Sequence, residues 1–207
     1  MGSADVIADV SDILLHVLRE AVSESDDQAT VRLVELVGRT HGGNCPLGLE
    51  LFLYEVAEDP SARNRPPRHT AVEDPFTGAV RQESRRPDMA LLLRYLLVPT
   101  GGTPDAQQRI LGQAMRALYD EAILQGPSLV PAAQGNSVAA AGESLKLRLA
   151  PLSLDERAKV WWAISQPYRL SLNYEVRVVN LASRDVTGAA PVTGGGVGIG
   201  QGTGERP

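Results

Sequence analysis

The sequence predicts an α+β fold: a mixed, mainly antiparallel sheet of about five strands packed with two longer helices and one short helix. Three observations carry this. Apolar residues recur at three- and four-residue steps near the N-terminus and again after Thr103. Two-residue alternation or short apolar runs occupy 49–56, 90–98, 145–149 and 168–179. Clusters of Gly, Pro, Ser and Asp separate these segments.

From Ala4 to Val22 the residues Val6, Ile7, Val10, Ile13, Leu14, Val17, Leu18, Ala21 and Val22 form one stripe of a helix roughly 28 Å long, with Ser3 as cap and Asp5 at the positive end of the dipole. Thr30 to Val37 is β-branched and reads as a short strand. Leu49 to Val56 alternates with both faces largely apolar, which predicts a central strand. Asp59 to Asp88 shows no periodicity and contains five prolines (60, 66, 67, 75 and 87), so it reads as a long loop. Its Arg63, Arg65, Arg68, Arg81, Arg85 and Arg86 outnumber Glu73, Asp74 and Glu83, making it a basic arm on an acidic chain.

Ala90 to Val98 is an apolar run broken only by Arg94, a buried strand. Thr103-Pro104-Asp105 opens a helix through Tyr119, with Thr103 as cap and Pro104 in its first turn. Gly126 to Gly142 reads as a flexible connection, and Leu145, Leu147 and Leu149 as a half-buried strand stopped at Pro151. Ser153 and Glu156 have the spacing of a capping box that starts a short helix carrying Trp161 and Trp162. The two rings point about 100° apart, so one can enter the core while the other reaches the surface. Tyr168 to Val179 alternates over about 12 residues, near 40 Å. Residues 1–183 are expected as one domain and 184–207 as a Gly-rich flexible C-terminal tail.

Composition narrows the class. With 43% hydrophobic and 22% charged residues in 207, the chain has the balance of a soluble globular protein, and it holds no apolar stretch long enough for a membrane helix. A net charge of −5 argues against a general nucleic-acid binder. The single cysteine, Cys45, cannot form an internal disulfide, which fits a reducing cytoplasm. All but two of the basic residues, Lys146 and Lys159, are Arg, the better interface cation.

No catalytic, cofactor-binding or metal-ligating set emerges. His16, His41 and His69 are scattered; His41 and Cys45 fall four apart, but a closed zinc site takes four ligands and no second Cys exists. The Gly194 to Gly200 run lacks the following Lys-Ser/Thr of a phosphate loop. The pairs Glu58-Asp59 and Glu73-Asp74 lie beside prolines and read as solvated.

Several strings in order resemble the N-terminal domain of the tail-terminator or cap proteins of contractile injection systems, the phage-tail-like particles of bacteria. They are Ala8-Asp9-Val10-Ser11, L-E-L-F-L-Y-E-V at 49–56 with Ala62-Arg63-Asn64, R-P-D-M-A-L-L-L-R-Y-L-L-V-P at 86–99, R-I-L-G-Q-A-M-R-A-L-Y-D at 109–120, and P-Y-R-L-S-L-N-Y-E-V-R-V-V at 167–179. The resemblance spans most of residues 4–182; most of 65–85 and the stretch beyond about 188 lie outside it. It implies a non-enzymatic cap without cofactors. Such a cap assembles in the cytoplasm as a homohexameric ring on the distal end of the inner tube, stopping tube growth and anchoring the last layer of sheath protein, with no nucleic acid or membrane as partner. The interface residues it suggests are Arg63, Asn64, Arg65 and Arg68 toward the tube or a neighbouring subunit, and Val179, Asn180, Leu181 and Arg184 toward the sheath. An assembly chaperone that does not stay in the particle, and an enzyme with an unrecognised site, are the competing readings.

Overall fold

The structure, a computed structural model, describes residues 5–23, 29–34, 46–62, 64–73, 78, 80–125, 144–181 and 186–189. In chain order the elements are α1 (Val6–Ser23), β1 (Thr30–Leu33), β2 (Gly48–Glu58), a 3-10 turn (Pro60–Ala62), β3 (Arg68–Glu73), β4 (Val80–Arg85), β5 (Met89–Thr100), α2 (Pro104–Asp120), β6 (Ile123–Leu124), β7 (Leu145–Leu149), α3 (Leu154–Ala163), β8 (Leu172–Leu181) and β9 (Val186–Ala189). They fall into two compact units. The body holds residues 1–65 and 88–182, and the arm holds residues 66–87 and 183–207.

The body is a six-stranded sheet in the order β1-β2-β5-β8-β7-β6, antiparallel except for the β1/β2 pair. This is the expected α+β class. The pleat sends alternate side chains to opposite faces. One face presents Leu49, Leu51, Leu91, Leu93, Leu97 and Val176 to the apolar stripes of α1 and α2, which bury Val10, Ile13, Leu14, Leu18, Ile110 and Ala114. Each buried aliphatic side chain contributes roughly 1.5–3 kcal/mol. In this core the Ser11 hydroxyl donates to the Ile7 carbonyl at 3.1 Å and meets the Tyr95 hydroxyl at 2.9 Å, and burial pushes the Tyr95 phenol up to about 12. The other face carries a smaller cluster in which Leu96 and Val98 meet Trp161 and Ile164 of α3, flanked by Phe52 and Tyr54.

Local chemistry sets the element ends. Thr103 accepts from Ala106 N and Pro104 opens α2; Ser153 and Glu156 form the reciprocal capping box of α3. After α3 the chain turns at Ser165, φ 57°, before Pro167 forbids further helix. Gly48 lets β1 pair closely with β2, since a Cβ there would lie 2.6 Å from the Thr30 carbonyl oxygen.

Several expectations are corrected. β1 ends at Leu33, short of Val37, and residues 35–37 lie outside the described residues, as do Ser3 and 126–143. β8 begins at Leu172, not Tyr168, because the residues before it are tied to α3 and β5: the Tyr168 ring packs edge-on against Trp161, the Trp161 indole donates to Ser171 Oγ, and Arg169 donates to the Pro99 carbonyl. On the polar side of β8, Asn173 and Glu175 are buried between the two neighbouring strands.

The loop expected over 59–88 contains the 3-10 turn and the hairpin β3/β4, whose register runs from Arg68 opposite Arg85 to Glu73 opposite Val80. β9 pairs with β4, giving a second sheet in the order β3-β4-β9. Four residues of the segment read as a tail are thus paired, and 190–207 lie outside the described residues.

Candidate interaction surfaces

Across the second face of the body sheet, four strands place alternating charges in one row: Arg148 of β7, Glu175 of β8, Arg94 of β5 and Glu55 of β2 are successive cross-strand partners. Arg94 Nη1 donates to Glu55 Oε2 at 2.7 Å, and Arg148 Nη2 donates to Glu175 Oε2 at 2.7 Å; Arg177 approaches Glu175 Oε1 at 3.9 Å. The hydrogen bond that Arg94 donates to Glu55 holds the guanidinium firmly charged, and burial raises the phenol of the adjoining Tyr54 above its ordinary range. Both carboxylates accept from an arginine of a neighbouring strand, so the row clasps the strands together.

The exposed surface carries large apolar groups. On α3, Leu154, Ala158 and Trp162 recur every four residues and all face outward, with Trp162 81% exposed. The two adjacent tryptophans therefore divide as expected, Trp161 in the core and Trp162 at the surface. The Asp155–Lys159 ion pair, 2.6 Å, flanks this stripe. A separate groove of about 540 Å³ lies where α2 ends beside β7, lined by Met115, Leu118, Tyr119, Leu147, Leu149 and Tyr174. Beside it, on the β6 side of β7, Leu147 N donates to Ala122 O at 2.8 Å, and among the described residues β6 pairs only with Leu145 and Lys146. Between α1 and α2 a third groove of about 390 Å³ is polar, with Glu20, Asp120 and Glu121 around Arg116.

The residues singled out from the sequence are distributed differently. Asn64 and Arg65 lie exposed after the 3-10 turn, and Arg68 opens β3 in the other unit; Arg63 lies outside the described residues. Val179 falls at the irregularity where the β5/β8 register shifts, and Asn180 pairs with Ala90. Leu181 pairs with Met89 and packs against the main core; Arg184 lies outside the described residues. His16 pairs with Glu20 at 3.7 Å within α1, His69 sits exposed on β3, and His41 and Cys45 lie outside the described residues. Asp59, read as solvated, is buried: its carboxylate accepts from Ser61 Oγ and Ser61 N, and the Ser61 hydroxyl holds it below the usual carboxylate range. Among the described residues no group of three or more His, Cys, Asp or Glu could hold a metal ion, and no helix is long and apolar enough to cross a membrane.

Sequence reasoning missed the charge row and the β3/β4 hairpin. The first left a trace, since Glu55, Arg94, Arg148 and Glu175 are each a charge set among apolar strand residues. The hairpin left a weaker one: Gly78, at φ 68°, lies between two segments whose polar composition hides their pairing.

Together these features define a class: an α+β domain with a mixed sheet, a covered core and a separate small sheet. Within that class, the chain belongs to the Pvc16 N-terminal domain family, whose sequence pattern matches residues 9–194. The fold is shared with two cryo-electron microscopy structures. One is the sheath/tube terminator, in the extended state, of PVC, an extracellular contractile injection system (21% identity, TM-score 0.57, covering 94% of this chain and 63% of that one). The other is the anti-feeding prophage cap, the AFP tube terminating cap (19% identity, TM-score 0.54, 93% and 61%). This chain thus spans less than two thirds of the length of either. No curated protein matches it.

Proposed function

We propose that this protein is a structural cap of a contractile injection system: a ring of identical subunits seated on the distal end of the inner tube and sheath, which ends tube growth and holds the last sheath layer. The observation that carries this reading is the fold shared over 94% of the chain with a sheath/tube terminator, joined to membership of the Pvc16 N-terminal domain family. In this reading the chain works through interfaces and makes or breaks no bond in a substrate. Its partners are copies of itself, six to match the tube, together with the inner tube protein and the sheath protein; it assembles in the cytoplasm and remains in the particle.

The exposed apolar surface supports the reading. An outward Trp at 81% exposure and an apolar groove at the end of α2 are costly in a lone subunit and useful in an assembly. The test is deletion of the gene followed by electron microscopy of the particles, with mass spectrometry of particles from the intact strain. Tubes of irregular length without an ordered end, and the chain retained at low copy number, are expected. Normal particles after deletion reject the reading, and absence of the chain from purified particles points to a chaperone instead.

A further inference from the structure

The arm poses a physical problem. A three-stranded sheet becomes stable on its own when it buries a hydrophobic face, yet no described side chain of β3 or β4 is buried, with Val72 39% and Val80 60% exposed. The register sets these two valines on opposite faces, so neither face has an apolar stripe. It also sets Arg68 directly opposite Arg85 and puts the Arg81 position on that same face, with Glu83 as the one acidic position among them. Like charges directly opposite destabilise a strand pair. A strand pair with these register positions gains from an anionic surface.

The chain supplies one. Residues 66–87 and 183–207 hold six Arg (68, 81, 85, 86, 184 and 206) against five acids (73, 74, 83, 185 and 205), a net +1, so the remaining residues carry −6 of the total −5. Within the body, the α1–α2 groove gathers three carboxylates, Glu20, Asp120 and Glu121, against one cation, Arg116, which pairs with Asp120 at 3.8 Å; Glu20 lies 3.7 Å from His16, so the lining keeps an excess of negative charge.

We propose that the Arg68/Arg85 face of the β3-β4-β9 sheet of one copy docks on the acidic α1–α2 groove of the next copy. The contact joins two different patches, so it is head-to-tail, the kind of contact that builds a ring when the rotation between copies closes. This rests on the ring-forming cap reading and names the surfaces that build the ring.

The experiment uses the whole chain and charge reversal. Mass photometry at low and high salt should show a closed oligomer that weakens as salt rises. The pair R68E/R85E, and separately E20R/E121R, should each weaken association by about tenfold or more. The chain carrying all four changes should recover the oligomer, a rescue that misfolding would not give; thermal melts of each variant check that the body is intact. An oligomer indifferent to R68E/R85E, a monomer at all concentrations, or no rescue by the fourfold variant overturns the proposal. So does arm-dependent binding of a DNA oligonucleotide without arm-dependent self-association. Adding each variant to tubes separates the two readings: wild-type chain that caps tubes while R68E/R85E forms rings as well as wild type sinks this inference alone, and wild-type chain that never seats on a tube end sinks the cap reading.

Discussion

The body and the arm are both built of β-structure, and they are held by different forces. The body sheet covers one face with two amphipathic helices and half of the other with α3, burying side chains such as Leu18, Leu97 and Trp161 almost completely. The arm has strands of comparable length to β7, paired in good register, and no buried side chain among those described in β3 and β4. Backbone hydrogen bonds fix register but contribute only about 0.5–1.5 kcal/mol net each, against a similar cost of ordering each residue. The lesson is that pairing alone defines the arm, while packing defines the body, so the two should respond to perturbation in opposite ways.

The largest expected effect is in the body core. Leu97 is fully buried between β5 and the helix layer, and Leu97→Ala should cost about 2–5 kcal/mol, seen as a lower denaturation midpoint with an unchanged denaturant slope. A cost below 1 kcal/mol would erase the contrast with the arm.

Next is the alkaline limb of stability. Burial pushes Tyr95 and Tyr174 up to about 12 from an ordinary 10.0. Below pH 10 both states of the chain hold these protons. Between pH 10 and 12 the unfolded chain releases them while the folded body keeps them, so stability falls as pH rises through that window. Tyr95 alone should account for on the order of 2–3 kcal/mol. Tyrosinate absorbance should grow in step with unfolding; early titration of both rings in the folded protein would show that the core admits water.

The charge row sharpens the comparison within the body. Arg148 is itself 58% exposed, but it gives Glu175 its short hydrogen bond, and Glu175 is 6% exposed. Arg148→Met leaves a buried carboxylate with Arg177 at 3.9 Å and should cost about 1–3 kcal/mol in thermal melts. Arg148→Met with Glu175→Met together should cost less than Arg148→Met alone, because no charge is then stranded.

How much of this was legible follows the same division. The elements that bury a periodic stripe, α1, α2, β2 and β5, were readable because a stripe of Leu and Val at fixed spacing is itself the instruction to pack. The caps at Thr103 and Ser153 were readable for a similar reason, since local chemistry decides them. The arm was not, because a strand with no buried face has no periodicity to read; His69, Thr70, Ala71 and Val72 look like loop until β4 is beside them. The interface residues suggested by resemblance rest on contacts between chains, which a single subunit does not contain: Arg63 and Arg184 lie outside the described residues, and Leu181 is half-buried against the core.

A smaller effect, of opposite sign, is expected at the end of α3. Ser165 holds φ 57°, a region that L side chains occupy at a cost and glycine does not. Ser165→Gly should stabilise the body by about 0.5–1 kcal/mol, less the added entropy of the unfolded chain, as a raised melting temperature.

The smallest effect belongs to the arm. Val80, 60% exposed and opposite Glu73, buries too little for its loss to matter, so Val80→Ser should change the body's melting by no more than about 0.5 kcal/mol. Hydrogen exchange on the same protein completes the comparison. Amides of β5 and β8, at the centre of the body sheet, should exchange only by global opening, while those of β3 should exchange by local opening that costs far less. If β3 amides in the isolated chain are protected as strongly as those of β5, the arm has a source of stability besides its own pairing. Val80→Ser then says whether that source is the exposed apolar side chain, by lowering β3 protection, or a contact elsewhere, by leaving it unchanged.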